Sequence, residues 1–297
     1  MIVTVTLNAA LDVAYEAEGP SWQATRDITR VRHRAGGTGV AVARVLYKFG
    51  HEVAVAGLAG GATGELIRED LGRSGIPVAM TGISQESRRV LAVTDTGSGQ
   101  TMRLREPGPY VTTEELGRFA SDYRRMLSDA TAVVLCGSLP LGLPPEIYGS
   151  LATYAAEAGV PVILSTGGEA LRYAAARRPD LVVPDEESEP SALAEADREA
   201  AGDALLAQGA VAVAVPAGDR ITAVTKGGRW RATLPGRTLG SPGPLVAGLV
   251  PGLLLGWSWP DLLRNAAAVG AAATVAGDVN LAEYERLVDQ VEVEPAS

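Results

Sequence analysis

Along the chain, short β-branched apolar runs alternate with longer segments whose apolar residues recur at helical spacing. Residues 2–7 form a run that ends at Asn8, the pattern of a buried strand. Residues 12–17 and 28–32 alternate polar and apolar and read as short strands around a turn-rich stretch, 18–23. After Ala35-Gly-Gly-Thr-Gly39, the residues Val40, Ala43, Val45, Leu46 and Phe49 mark one face of a helix that Gly50 closes. Residues 52–57 read as a strand, and 65–73 as a helix opened by Gly60-Gly-Ala-Thr-Gly64. Runs at 90–94 and 101–105 flank Asp95-Thr-Gly-Ser-Gly99 and predict a hairpin. Thr112 caps a helix reaching residue 127, with Glu115 at the capping-box position.

From residue 132 the alternation is regular. Strands are predicted at 132–136, 160–165, 181–183 and 211–215, and helices at 145–158, 168–177 and 191–208. Two further strands, 221–225 and 229–233, turn at Lys226-Gly-Gly228. Helices at 245–256, 260–276 and 281–288 follow, and 292–297 reads as a frayed tail. Repeated strand–helix units predict an α/β fold with a mainly parallel central sheet covered on both faces. The strand pairs within 12–32 and 88–105 break that alternation and predict a small second sheet, a lid over one end. With no internal repeat and no low-complexity linker, a single domain over 1–297 is expected.

Composition narrows the function classes. A length of 297 residues suits one large α/β domain or two small ones. The net charge of −9 argues against general nucleic-acid or anionic-membrane binding. The single cysteine, Cys136, lies in the apolar run 131–136, which points to a buried thiol and excludes a disulfide or a cysteine-based zinc cluster. The chain opens on a strand pattern without a basic, then apolar leader, and no apolar run has the length of a membrane span, so a cytoplasmic protein is expected. Aromatics make up only 5%, which calls for close helix–sheet contacts made by small side chains.

In an open parallel sheet, ligands bind beyond the carboxyl ends of the strands. Polar or Gly-rich turns fall at those ends: Asn8-Ala-Ala-Leu-Asp12, Gly36-Gly-Thr-Gly39, Gly137-Ser-Leu-Pro140, Ser165-Thr-Gly-Gly168, Pro184-Asp-Glu-Glu187, Pro216-Ala-Gly-Asp219 and 239–243. Their shared placement predicts one elongated site. The last of them, Gly240-Ser-Pro-Gly243, has the form of an anion cradle at a helix N-terminus, yet Pro242 and Pro244 lack a backbone donor and no carboxylate is present. A Pro-capped helix start explains it equally well. Asp12 can bind ligand hydroxyls or close an Asx-turn. Arg88 can bind an anion or sit solvated on a strand, and Arg105 is the weaker candidate on the other lid strand. Asp185, Glu186, Glu187 and Glu189 can hold a metal or enrich a solvated helix start; the second is the commoner arrangement, and no metal site is assigned. His33 and His51 stand apart from any Ser or Cys pattern and read as structural or surface residues. Trp257 and Trp259 flank a helix break and read as packing or interface residues.

Six motifs, in order and spacing, resemble the ribokinase-like PfkB sugar kinases, in particular the 1-phosphofructokinase and tagatose-6-phosphate kinase branch. They are Asn8-Ala-Ala-Leu-Asp12, Ala35-Gly-Gly-Thr-Gly-Val-Ala-Val-Ala-Arg44, Glu106-Pro-Gly-Pro109, Gly137-Ser-Leu-Pro-Leu-Gly142, Thr166-Gly-Gly-Glu-Ala-Leu171 and Leu239-Gly-Ser-Pro-Gly-Pro-Leu-Val-Ala-Gly248. The resemblance implies a three-layer α/β/α sandwich with a β-lid, dimerisation through that lid, and phosphoryl transfer from ATP with magnesium to a sugar phosphate. Carried over residue by residue, it implies substrate contacts at Asp12, Gly36, Gly37, Thr38, Arg88 and Ser138. It implies nucleotide contacts at Asp185, Gly218 and Gly240.

The carry-over fails at the reacting centre. The signature resembling Gly-Ala-Gly-Asp, whose Asp is the general base, reads Gly240-Ser241-Pro242-Gly243 here. The phosphate-binding lysine of Gly-Gly-Lys-Gly is replaced by Thr38, and the Asn that follows in that motif by Ala41. A lid motif expected as Arg-x-Asn-x-Lys reads Arg88-Arg-Val-Leu-Ala92, and Lys-Pro-Asn reads Val183-Pro184-Asp185. The strand end expected as Ser-Leu-Gly reads Pro216-Ala217-Gly218. Substitutions concentrate on reactive positions while the Gly and apolar framework stays. The reading that follows is a pseudokinase that binds a sugar phosphate, a nucleotide or a partner, so that ATP and magnesium enter only if nucleotide binding survives. The alternatives are a divergent active kinase using another carboxylate, Asp185 or Asp219, and a repurposed enzyme drawing on Asp12, His33 and Arg88.

Overall fold

A computed structural model describes residues 1–19, 25, 27–185, 195–274 and 277–296. The strand order follows from burial. β1 (Ile2–Thr6), β4 (Val53–Gly60) and β8 (Ala132–Cys136) are buried at every position, as strands covered on both faces must be. They lie side by side and parallel, with Val5 opposite Ala56 on one flank and Leu135 on the other. β5 (Val78–Ile83) extends the sheet beyond β4. On the other flank β9 (Val162–Ser165), β10 (Leu181–Val182) and β11 (Ala212–Ala217) continue it in parallel. The antiparallel strands β12 (Arg220–Thr225), β13 (Gly228–Thr233) and β14 (Glu292–Pro295) finish it.

Helices cover both faces. One core lies against α1 (Thr38–Lys48), α2 (Gly61–Arg73), α7 (Pro242–Leu254), α8 (Trp259–Ala271) and α9 (Leu281–Val288). The second lies against α3 (Thr113–Met126), α4 (Ile147–Glu157), α5 (Gly168–Ala175) and α6 (Glu195–Gln208). Tyr148 and Tyr123 are fully buried there and direct their hydroxyls to the carbonyls of Cys136 and Leu151. Cys136 is a buried free thiol, as expected. The capping box of α3 is formed by Thr112 and Glu115. No helix among the described residues is long and apolar enough to cross a membrane.

A second sheet, in the order β3-β2-β6-β7, stands apart from the first. It comprises β2 (Ala10–Ala17), β3 (Arg30–Gly36), β6 (Arg88–Asp95) and β7 (Thr101–Arg105). The strand expected at 28–32 runs on to Gly36, carried by its pairing with β2 down to Ala10. Strand β5 was not expected. Its sequence, VAMTGI, contains Gly82 and little alternation, because an edge strand buries only part of its surface. The supposedly frayed tail is instead β14, paired to β13 from Thr233↔Glu292 to Trp230↔Pro295. A short charged run has no apolar signal, and backbone pairing at the sheet edge orders it. Of the helix expected from 191, residues 191–194 lie outside the described residues, as do Glu186, Glu187 and Glu189.

Candidate active-site cleft

Strand β1 ends at the cleft. Asn8 follows it and donates from Nδ2 to Ser138 Oγ at 3.1 Å and to the Leu139 carbonyl at 3.3 Å, tying the loop after β8 to that after β1. The Asn8 carbonyl accepts from Arg88 Nε at 3.2 Å, which draws the base of β6 to the same point. Asn8 Oδ1 is buried without a hydrogen-bond partner. A cavity of about 450 Å³ opens beside this point, lined by Ser138, Leu143, Thr166 and Glu169 among others.

Asp12 projects from β2 towards the Gly36-Gly37 turn. A Cβ on Gly36 would lie 2.3 Å from Asp12 Oδ2, so glycine is required for the carboxylate to occupy this place. Burial pushes the Asp12 pKa up, opposed by Arg88, Arg103, Arg34 and Arg44. Arg44 is itself 9% exposed and pairs with Asp70 at 2.5 Å, while Asp70 Oδ2 also accepts from the Ala35 amide at 2.8 Å. The strand end that carries Gly36 is therefore clamped from α1 and α2. Burial and then Arg105 lower the pKa of the Arg88 guanidinium, with Asp12 opposing.

Gly37 precedes the first residue of α1 and offers that helix no side-chain cap. Thr38 opens the helix, and its hydroxyl donates to Asp185 Oδ2 at 3.0 Å. Asp185 is 1% exposed, and its amide bonds to the Thr166 carbonyl at 3.0 Å. This carboxylate makes itself felt in the core: burial first, and Asp185 second, push the Cys136 thiol well up. Two positions expected to face different ligands, Thr38 and Asp185, are thus partners of each other.

At the N-terminus of α7, Ser241 is the cap residue and makes no side-chain capping bond. Pro242 and Pro244 remove two first-turn amides, leaving Gly243 as the donor between them. Gly243 is buried. A Cβ there would lie 2.8 Å from Ala41 Cβ and 3.2 Å from the Thr38 carbonyl, so α7 and α1 touch where a longer side chain would have to pass. Gly240 and Gly218 belong to one corner, joined by the Leu239 amide bonding to the Gly218 carbonyl at 2.9 Å. These residues do not fit a magnesium-bound phosphoryl group held at the α7 turn, since the turn offers few amides and no carboxylate.

The model for the pfkB family carbohydrate kinases matches residues 6–282. The chain belongs to this family. A possible 1-phosphofructokinase from Thermotoga maritima shares the fold with a TM-score of 0.89 at 23% identity over 100% of both chains. Phosphofructokinase-2 from Escherichia coli, in complex with potassium, gives a TM-score of 0.85 at 25% identity over 97% of this chain and 98% of that one. The same enzyme in complex with fructose-6-phosphate also gives 0.85, at 24% identity and the same coverage. The large, mostly parallel sheet, its helices and the smaller sheet constitute the ribokinase-like fold.

Within this pfkB fold, Asp12, Gly36 and Arg88 converge, and Thr38, Asp185 and Gly243 form a second group along the α1 N-terminus. Ser138 connects to the first group through Asn8. His33 does not join them. It pairs with Val13, on the sheet face opposite Asp12 and Arg34, so the trio of Asp12, His33 and Arg88 does not assemble. Reading the sequence in order missed Arg34, Arg44, Asp70 and Arg103. One signal was available for Arg34: arginines at 30, 32 and 34 alternate, which places all three on one face of a strand.

Proposed function

We propose that this pfkB-family protein binds a sugar phosphate in the cleft beneath the small sheet and does not carry out ordinary ATP-dependent phosphoryl transfer. The observation that carries this reading is the contact of Gly243 with Ala41 and the Thr38 carbonyl. The position that the resemblance assigns to the general base holds no carboxylate, and a Cβ there would crowd Ala41 and the Thr38 carbonyl. Loss of a general base costs about 10²- to 10⁴-fold in rate. Asp12 suits sugar hydroxyls, and Arg88 suits the charged group. The family match, and the fructose-6-phosphate in the structure of the Escherichia coli relative, support this class of ligand.

A second reading, an active but divergent kinase, has at least equal support from the family match over 6–282. Asp185 favours it, because a buried carboxylate remains within the cleft. Turnover assays with ATP–magnesium and fructose 1-phosphate, fructose 6-phosphate or tagatose 6-phosphate separate the two. Product at ordinary kinase rates sinks the first reading. A rise in melting temperature with sugar phosphate but none with ATP–magnesium sinks the second.

A homodimer through the small sheet belongs to the same proposal. The face opposite Asp12 exposes Val31, Met102 and Leu104 at 49%, 40% and 46%. These residues align across the sheet with Tyr15, Leu91 and Val93. A continuous apolar sheet face of this kind calls for a partner surface, and a second copy supplies the same one.

A further inference from the structure

A second cavity lies at the opposite edge of the large sheet from the cleft, where the parallel strands begin. Its volume is about 510 Å³, within the range of about 300–1,000 Å³ usual for small-molecule sites. Pro161, Val211, Leu253, Leu254 and Trp259 give it an apolar wall. Pro161 and Val211 stand immediately before β9 and β11, and Leu253 and Leu254 end α7. Gly243, at the other end of α7, lies in the cleft, so the helix holds the two sites about 16 Å apart at about 1.5 Å per residue. The walls are preformed. The Val211 amide donates to the Pro179 carbonyl at 3.0 Å, the Asp180 amide to the Val162 carbonyl at 2.9 Å, and the Val133 amide to the Pro161 carbonyl at 2.9 Å, so neighbouring strand starts hold one another. Trp259 opens α8, and its ring lies 6.4 Å from that of Trp230 on β13, with the planes 17° apart. Two elements therefore fix the orientation of this indole.

We propose that this cavity binds a small, planar aromatic monocarboxylate. Three observations support it. First, the wall is apolar and only partly covered: Leu253, Leu254 and Trp259 are half-buried and Val211 is exposed, so an apolar ligand body removes surface that the fold itself leaves in water. Second, the fixed indole of Trp259 favours a flat partner, because aromatic rings gain from offset stacking beyond their buried area. Third, the charge is placed for an anion. Among the described residues that line the cavity, Lys226 is the only cation, at the tip of the β12–β13 hairpin. The turn that presents it is set by Thr225, whose hydroxyl donates to the Gly228 carbonyl at 2.9 Å and accepts from the Gly227 amide at 3.1 Å. That hydroxyl is therefore engaged in the turn, and the exposed Lys226 ammonium is the group left to meet a ligand. The lining also holds Asp180, but its Oδ2 accepts from the Val162 amide at 2.8 Å, which ties this carboxylate to the strand start. A single carboxylate on the ligand matches a single ammonium.

The test is isothermal titration calorimetry on the full chain with 2-naphthoate, its neutral counterpart 2-naphthalenemethanol and its cationic counterpart 2-naphthalenemethylamine. Wild type is expected to bind one equivalent of 2-naphthoate, more tightly than the alcohol and with an affinity that falls as salt rises. Lys226→Gln should weaken 2-naphthoate about fivefold or more and leave the alcohol unchanged. Val211→Trp fills part of the cavity and should weaken both. Lys226 and Val211 are exposed, so both variants should keep the wild-type melting temperature. Arg88→Gln, in the cleft, should bind 2-naphthoate as wild type does. Loss of binding in Arg88→Gln with wild-type affinity in Lys226→Gln and Val211→Trp places the probe in the cleft and overturns the proposal. Tighter binding of the amine than of the carboxylate overturns the assignment of charge, and a wild-type protein that does not bind 2-naphthoate saturably overturns the site.

Discussion

The Thr38 hydroxyl donates to Asp185 Oδ2 at 3.0 Å, joining the first turn of α1 to the strand end after β10. Asp185 is 1% exposed, so its carboxylate depends on such donors. Replacing Thr38 by Val removes one donor and keeps the shape. The expected loss is about 1–3 kcal/mol of stability, read from the urea midpoint. Thr38→Ser retains the hydroxyl and should stay close to wild type. A Thr38→Val protein that unfolds at the wild-type midpoint would show that the bond carries no stability.

Gly243→Asp should not create a kinase by itself. Its Cβ meets Ala41 Cβ at 2.8 Å, a contact that must be relieved by movement of α7 or α1. Overpacking of this kind costs about 1–3 kcal/mol. Ala41→Gly should recover much of that cost in the double variant, because the clash is between these two positions. Additive losses in a denaturation double-mutant cycle would show that the two helices do not meet as described.

Asp12 contributes to stability with a definite sign. Burial raises its folded pKa above 3.8, so the fold favours the protonated carboxyl. The wild type is best served by Asp12 below pH 3.8 and loses that contribution as pH rises through the raised value. Asp12→Asn should therefore be more stable than wild type at neutral pH, with the gap closing as the pH falls. The same change should weaken ligand binding, since the charge and one of the two acceptor oxygens for sugar hydroxyls are replaced by an amide donor. Equal stability of the two proteins at neutral pH would contradict the burial argument.

The exposed apolar face of the small sheet predicts self-association. Leu104→Glu places a charge at a position that is 46% exposed in the single chain and covered in a lid-to-lid dimer. Sedimentation should show a dimer for wild type and a monomer for the variant at micromolar concentration, with the melting temperature of the dissociated chain little changed. A wild-type protein that sediments as a monomer, or a variant that stays dimeric, removes the lid as the interface.

Much of this molecule is determined by local sequence. Buried β-branched runs such as those of β1 and β8 point to parallel strands covered on both faces, and Thr112 with Glu115 points to a helix start, as the structure has them. The Gly-rich turns likewise declared the strand ends at which a cleft would form. Other features depend on partners distant along the chain. Strand β14 is ordered by pairing with β13, and Glu292 and Glu294 carry no hint of it. Thr38 and Asp185 are 147 residues apart, and their bond exists because β1 and β10 end on one side of the sheet. The absence of a carboxylate at Gly243 is plain in the sequence. That Ala41 fills the space beside it is a fact of helix packing, which depends on how α1 and α7 meet. The arginines of the small sheet have the same origin: alternation places each on a face, but only strand register sets Arg103 and Arg105 beside Ala92 and Val90.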